Sequence, residues 1–289
     1  MNFKRLFKFA AVGMVSVAIL TACGGEEAKT VTNDKGETVE VRKVKVAFDQ
    51  ASKPITYIDE NGNPTGYDVE VMKLVDEALP EYEFEYVGTS NDDLLIGVEQ
   101  GKYQAGVKNA FWTEERTHKY IFPENFLGLS SAGLVLKTEN SNIKNLADFA
   151  SAGFTLAPIA ANNAQYTIVD EYNKANPDNP VKLVAGEEFS VDVPQWVNEG
   201  RVDGGIAIEG SFKGQVLDEK GPYYHLKDEV VYNEFSVIKT WPLFNKKEQE
   251  FADAYDKAIK EIYETDKLRE LSKEFYGRDL FEVLDSVNR

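Results

Sequence analysis

The strongest constraint on the fold is a hydrophobic period that keeps switching from about residue 42 onward. Val44, Val46 and Phe48 alternate with Lys43, Lys45 and Ala47, the two-residue period of a strand. After the turn chemistry of Asp59-Glu60-Asn61-Gly62-Asn63-Pro64, the residues Val69, Met72, Val75 and Leu79 fall on one helical face, and Pro80 stops that helix. Tyr82, Phe84 and Tyr86 alternate again, and Leu94, Leu95 and Val98 mark a short helix ended by Gly101. Strands are expected at 103–107, 154–157, 181–184 and 202–208, with a helix over about 164–174. Towards the end, Phe251, Tyr255, Ala258 and Ile262 share one helical face, as do Leu268, Leu271 and Phe275. Such alternation points to an α/β protein with mostly parallel sheets.

Charge narrows the function. Acids number 49 against 32 bases, a net charge of -17, and no dense Lys/Arg run occurs, so no nucleic-acid partner is expected. His118 and His225 are too few for a histidine-rich metal site, and a single Cys excludes an internal disulfide. No cofactor, metal or catalytic group is expected.

That Cys closes an N-terminal leader. Lys4, Arg5 and Lys8 precede an apolar run from Phe9 to Leu20, too short for the ~20 residues of a bilayer-spanning helix. The run ends in Leu20-Thr21-Ala22-Cys23-Gly24, which resembles the lipobox of bacterial lipoproteins. The resemblance implies a signal peptide over 1–22 and a lipidated Cys23 as mature N-terminus, with membrane attachment through the lipid. Residues 23–41 are polar and lack apolar periodicity, so they read as a flexible tether with a reach of roughly 23 Å.

The body also resembles a known family. Ile58-Asp59-Glu60-Asn61-Gly62-Asn63-Pro64-Thr65-Gly66-Tyr67-Asp68-Val69 is similar to the signature of amino-acid-type solute-binding proteins (family 3) of bacterial ABC importers. Leu94 to Gly106 (LLIGVEQGKYQAG), Thr113-Glu114-Glu115-Arg116, the pair Phe122 and Phe126, and Leu271 to Gly277 (LSKEFYG) follow in the family's order. The resemblance implies two α/β lobes of the type II periplasmic-binding-protein-like fold, joined by two crossing strands around a ligand. Lobe 1 would comprise 42–136 plus 237–289, and lobe 2 would comprise 137–236. The crossings would fall at Leu134-Val135-Leu136 and Phe235-Ser236-Val237-Ile238, both short apolar runs.

A free amino acid presents a carboxylate and an ammonium. Burying either without a partner costs several kcal/mol, on the order of the desolvation penalty of one ion. Arg suits the carboxylate because its fork binds both oxygens, and Arg116 matches the family's clamping Arg; the alternative is a surface ion pair with Glu114 or Glu115. The resemblance also places Asn109 and Phe111 among the lobe 1 contacts. The Asn109 position offers its backbone carbonyl to the ammonium. Phe111 stands where Ser or Thr is usual, so Phe111 and Trp112 either wall the side-chain pocket or sit in the lobe core. In lobe 2, the resemblance places a helix N-terminus against the ligand carboxylate at Ala160-Ala161-Asn162-Asn163-Ala164-Gln165, with Asn162 or Asn163 either meeting the ligand or capping the helix without touching it. The family's ammonium-binding Asp position holds Ile208 here, and the acid follows at Glu209. On a strand a one-residue slip turns the side chain to the other face, so either a bulge restores Glu209 or it is exposed. Asp49 and Glu70 are further acids available, and Ser52 and Lys53 stand where the family has an aromatic, with Tyr57 either the replacement or a core residue.

The stretch Lys108 to Arg116 is most similar to cystine-type members. The resemblance therefore implies a lipid-anchored, monomeric receptor on the outer face of the cytoplasmic membrane. It would deliver a polar amino acid such as cystine to the transmembrane subunits of an ABC permease. The alternative is an enzyme on the same fold, of the cyclohexadienyl dehydratase kind, which would need a general acid in the cleft.

Overall fold

The computed structural model of the chain describes residues 29–32, 36–160, 163–184 and 192–287. The leader over 1–22, the lipidation residue Cys23 and Asn162 lie outside the described residues.

Lobe 1 is built on the strand Arg42–Asp49, which lies between two parallel neighbours, Tyr82–Thr89 and Ala105–Ala110. Alternation dictates its orientation: Val44, Val46 and Phe48 are fully buried on one face, in the main lobe 1 core. The first helix, Tyr67–Ala78, buries Val69, Met72 and Val75 against them. Leu79 follows as its capping residue rather than its last turn. The helix Asn91–Gln100 opens on the Ser90 hydroxyl, which accepts the Asp93 N–H, and closes on Gly101 in the left-handed region at φ 81°. Helices Gln249–Tyr263, Lys267–Tyr276 and Leu280–Val287 complete this lobe. Phe251 packs edge-on to Phe84 and Phe244 and stacks on Tyr82, so truncating it would expose a core worth about 3–5 kcal/mol.

Two long strands connect the lobes. Gly128–Lys137 and Val230–Asn245 run antiparallel and form the middle of a nine-stranded mixed sheet. The second of them pairs with Ala105–Ala110 in lobe 1 through its C-terminal end. The first pairs with the lobe 2 strand Gly204–Ile208, which lies parallel to Thr155–Leu156. Parallel sheets are thus confined to each lobe, and the joints between them are antiparallel. Leu134 and Leu136 face one lobe 2 core with Phe149, Leu156 and Val169, whereas Val135 faces the other with Val197, Phe212 and Val216.

Two expectations need correction. Leu129 belongs to the lobe 1 core and Leu134 to a lobe 2 core, so the first crossing lies near Ser130 and Ser131. A boundary after Leu136 would cut Leu134, Val135 and Leu136 from the cores they fill. The apolar run misplaces the crossing because one strand, buried from Gly128 to Leu136, serves both lobes. The tether is also partly structured. Thr30–Thr32 pairs with Thr38–Glu40 in an antiparallel hairpin, Val31 is 4 % exposed, and Lys29 meets Glu83 on the lobe 1 edge strand at 3.3 Å.

Candidate functional site

Three adjoining cavities lie where the lobes meet, two of them lined by both lobes. The first, of about 400 Å³, is lined by Phe111, Thr113, Arg116 and Lys119 from lobe 1 and by Asn163, Ala164 and Gln165 from lobe 2. The second, about 250 Å³, shares Asn163 and Gln165 with it and continues past Ala160, Ile208 and Ser211. The third, about 410 Å³, shares Ile208 and Ser211 with the second. Its other walls include Asn109, Ser130 and Ser131 at the crossing, Lys53 and Pro54, Glu209 and Lys213, and Phe275 and Tyr276. The first and third cavities thus have walls from both lobes, and the second, lined by lobe 2 residues alone, adjoins each of them.

Arg116 sits in a short helix, Glu114–Thr117, whose Thr113 hydroxyl accepts the Arg116 N–H at 3.3 Å. Its guanidinium donates to the Phe111 carbonyl at 2.8 Å. Among the described residues it forms no salt bridge, although the neighbouring Glu115 charge acts on it. Burial lowers its pKa from the usual arginine value, and burial followed by the nearby Arg116 charge does the same to Lys108. Two cations held close together, Arg116 on the cavity wall, favour an anion there, although Glu115 on the same wall and Asp49 and Asp92 near Lys108 offset part of that charge.

Opposite Arg116 stands Asn163. It caps the helix Ala164–Ala175, its Oδ1 accepting the Gln165 N–H at 2.9 Å. Unpaired N–H groups and the helix dipole favour negative charge at such an end.

Asn109 is the one non-glycine residue with positive φ among the described residues, at 58°. Two contacts hold it there: its N–H donates to the Asp68 carboxylate at 2.9 Å, and its Oδ1 accepts the Ser130 hydroxyl at 2.6 Å. Asp68 is 1 % exposed, and burial pushes its pKa up to about 7, while the Asn109 N–H pulls it down. This fixed turn presents Asn109 on the cleft wall.

The remaining expected residues are divided. Phe111 lines the cleft, but Trp112 is 50 % exposed and walls a separate cavity with Ile168 and Tyr172, so neither is a core aromatic. Asp49 accepts the Ala51 N–H and the Ser52 hydroxyl, which fixes a turn beside the cleft rather than a cleft wall. Tyr57 lies beneath the Lys53 ammonium, 5.3 Å from ring centre. Glu70 pairs with Lys73 at 2.8 Å. Glu209 lines the third cavity by a route outside both expectations: the strand ends at Ile208 and Glu209 opens a short helix, Glu209–Phe212. Its carboxylate meets Lys213 at 3.0 Å and Arg278 at 3.1 Å, and Arg278 also holds Glu234 at 2.6 Å.

Sequence reasoning missed Arg278, Lys213 and the role of Asp68. Asp68 lay in a recognised motif but gave no hint that its carboxylate holds a backbone 41 residues away.

Two α/β lobes, two shared strands and a polar cleft where the lobes meet define the architecture of a two-lobe solute-binding receptor. The chain belongs to the bacterial extracellular solute-binding proteins, family 3, whose pattern matches residues 44–278. It is a solute-binding receptor, not an enzyme. Its relatives include the L-cystine-binding protein TcyK of Bacillus subtilis (strain 168), 26 % identical over 273 residues that cover 94 % of this chain and 96 % of TcyK. The L-cystine-binding protein TcyJ of the same organism is 28 % identical over 225 residues, 78 % of this chain and 80 % of TcyJ. In fold the chain is similar to the L-cystine solute receptor of Neisseria gonorrhoeae in its unliganded open conformation, with a TM-score of 0.55 and 23 % identity, covering 83 % of this chain and 94 % of the receptor. Among the described residues no helix is long and apolar enough to cross a membrane.

Proposed function

We propose that this receptor binds a free amino acid of the cystine type and delivers it to the transmembrane subunits of an ABC importer. In this reading it works as a monomer on the outer face of the cytoplasmic membrane, tethered through a lipid on Cys23. The names of its relatives support the solute class, and the Leu20 to Gly24 motif supports the anchor. One observation carries the reading: the half-buried Arg116 lines the cleft without a salt bridge among the described residues, in the same cavity as the capped helix end at Asn163. A ligand carboxylate completes both. The Asn109 carbonyl and Glu209 are the ammonium acceptors, and Glu209 must release Lys213 or Arg278 to act. Phe111 walls the pocket that Arg116 lines.

Calorimetry with L-cystine tests this. Arg116→Ala should weaken binding by about 2–5 kcal/mol, since a buried carboxylate loses its partner; an unchanged dissociation constant removes Arg116 from the site. For the anchor, Cys23→Ala should release the protein from membranes, and co-sedimentation that persists through a salt wash argues against it.

A further inference from the structure

Beside the cleft lies a fourth cavity, of about 490 Å³, larger than any of the three already described. It is lined by Val237 and Ile238 of the crossing strand Val230–Asn245, so it too lies where the lobes meet. The lobe 1 wall holds Trp112, Trp241 and Leu284. The two indoles differ in setting. Trp241 is held edge-on by Phe122 and Phe126, whereas Trp112 is 50 % exposed and has no ring contact among the described residues.

The lobe 2 wall is one face of the helix Ala164–Ala175. Ala164, Thr167, Ile168, Glu171 and Tyr172 all line the cavity, at the i, i+3, i+4, i+7 and i+8 spacing of a single stripe. Ile168 and Tyr172 root this stripe in a lobe 2 core, and Thr167 and Glu171 are exposed on it. A large indole thus stands half in solvent on one lobe, in the same cavity as the apolar part of a helix on the other.

The fourth cavity adjoins the first. Phe111 lines the first and Trp112, the next residue, lines the fourth; Ala164 lines both. The helix moves as one rod, and Ile168 and Tyr172 lie about 6 and 12 Å along it from Ala164. A swing that brings Asn163 and Gln165 towards Arg116 therefore narrows the fourth cavity as well. Burying an indole removes a large apolar surface from water, more than an aliphatic side chain does. That stabilisation arises only as the lobes approach.

We propose that Trp112 is a closure contact: when the lobes shut on a solute, its indole packs against Ile168 and Tyr172, and this contact sets the receptor's affinity without touching the solute. The proposal needs only a solute-binding receptor whose two lobes close; its probe, L-cystine, rests on the amino-acid reading above.

The test is calorimetry of L-cystine with the full chain. Trp112→Ala should weaken binding about tenfold, since closure then buries no indole. Thr167→Leu combined with Glu171→Leu widens the apolar stripe from the other lobe and should tighten binding about threefold. Thr167 and Glu171 line none of the three cleft cavities, so that gain does not come from contact with the solute. In the Trp112→Ala background the two leucines should give no gain, the mark of a contact between the two walls. All three residues are exposed, and an unaltered melting temperature without ligand verifies that each variant folds. Binding that Trp112→Ala leaves unchanged or tightens overturns the closure contact, as does a leucine gain that is absent with Trp112 or persists without it. If L-cystine binds neither the wild type nor any variant, the amino-acid reading falls by itself, and solution scattering without ligand decides. The leucine pair should then lower the radius of gyration with Trp112 present and not with Trp112→Ala; a radius that the leucines leave unchanged, or lower equally in both backgrounds, overturns the proposal.

Discussion

Asp68 shows how one buried carboxyl shapes the cleft from behind it. Its contact with the Asn109 N–H holds a left-handed turn that Asn tolerates better than most side chains. Around it stand Tyr67 on its own helix, Tyr255 on the helix Gln249–Tyr263 and Tyr276 on the helix Lys267–Tyr276; burial raises the pKa of all three, and the Asp68 charge adds to it. Asp279 also acts on Tyr67 from the C-terminal side. With a folded pKa of about 7 against an ordinary 3.8, the folded chain holds this proton between those values while the unfolded chain does not. This group's contribution to stability is therefore fullest below about pH 4 and lost as pH rises through 7. Asp68→Asn removes the titration. The melting temperature of the variant relative to wild type should rise from pH 5 to pH 8, and a constant difference across that range would contradict the assignment. The motif around Asp68 was plain in the sequence, but its partner was not, because no periodicity links residues 68 and 109.

At the scale of elements, periodicity was a good guide wherever one face was buried and the other wet. The helix expected at 164–174 spans Ala164–Ala175, and Gly101 ends its helix as expected. Periodicity failed at the crossings, where a strand buried on both faces carries no mark of the lobe it serves. It also failed at Glu209, whose environment depends on where the strand stops and not on its parity. The crossing pair has one irregularity: Ala132 faces Ser236 and Gly133 faces Glu234, so Phe235 is an extra residue on its strand. Gly133 sits against this bulge with no room for a side chain. A Cβ there would come within 2.4 Å of the Tyr232 ring and 2.8 Å of the Asn233 carbonyl. Gly133→Ala should therefore cost about 1–3 kcal/mol, read from urea unfolding. Wild-type stability in the variant would mean that the crossing strands separate more easily than their pairing indicates.

For the whole molecule, the network of Arg278, Glu209 and Glu234 matters most. It ties the loop after the lobe 1 helix Lys267–Tyr276 to the lobe 2 edge of the cleft and to a crossing strand. The contact is partly exposed, so salt should weaken it. In solution scattering without ligand, Arg278→Gln should increase the radius of gyration, as should raised ionic strength in the wild type. A radius insensitive to both would show that the lobes are held apart or together by something else. Nothing in the sequence announced this tie, since its members lie 44 and 69 residues apart and look like ordinary surface charges.

The bulge at Phe235 bears on how such a receptor moves. The strands on either side of it are paired rung by rung from Gly128 to Lys137. A swing of one lobe about that point would be absorbed as added coil in a ladder that already twists, with every backbone bond intact. Opening would then melt nothing, so capture and release should have shallow temperature coefficients, more like a flexing leaf spring than a door that must be unlatched.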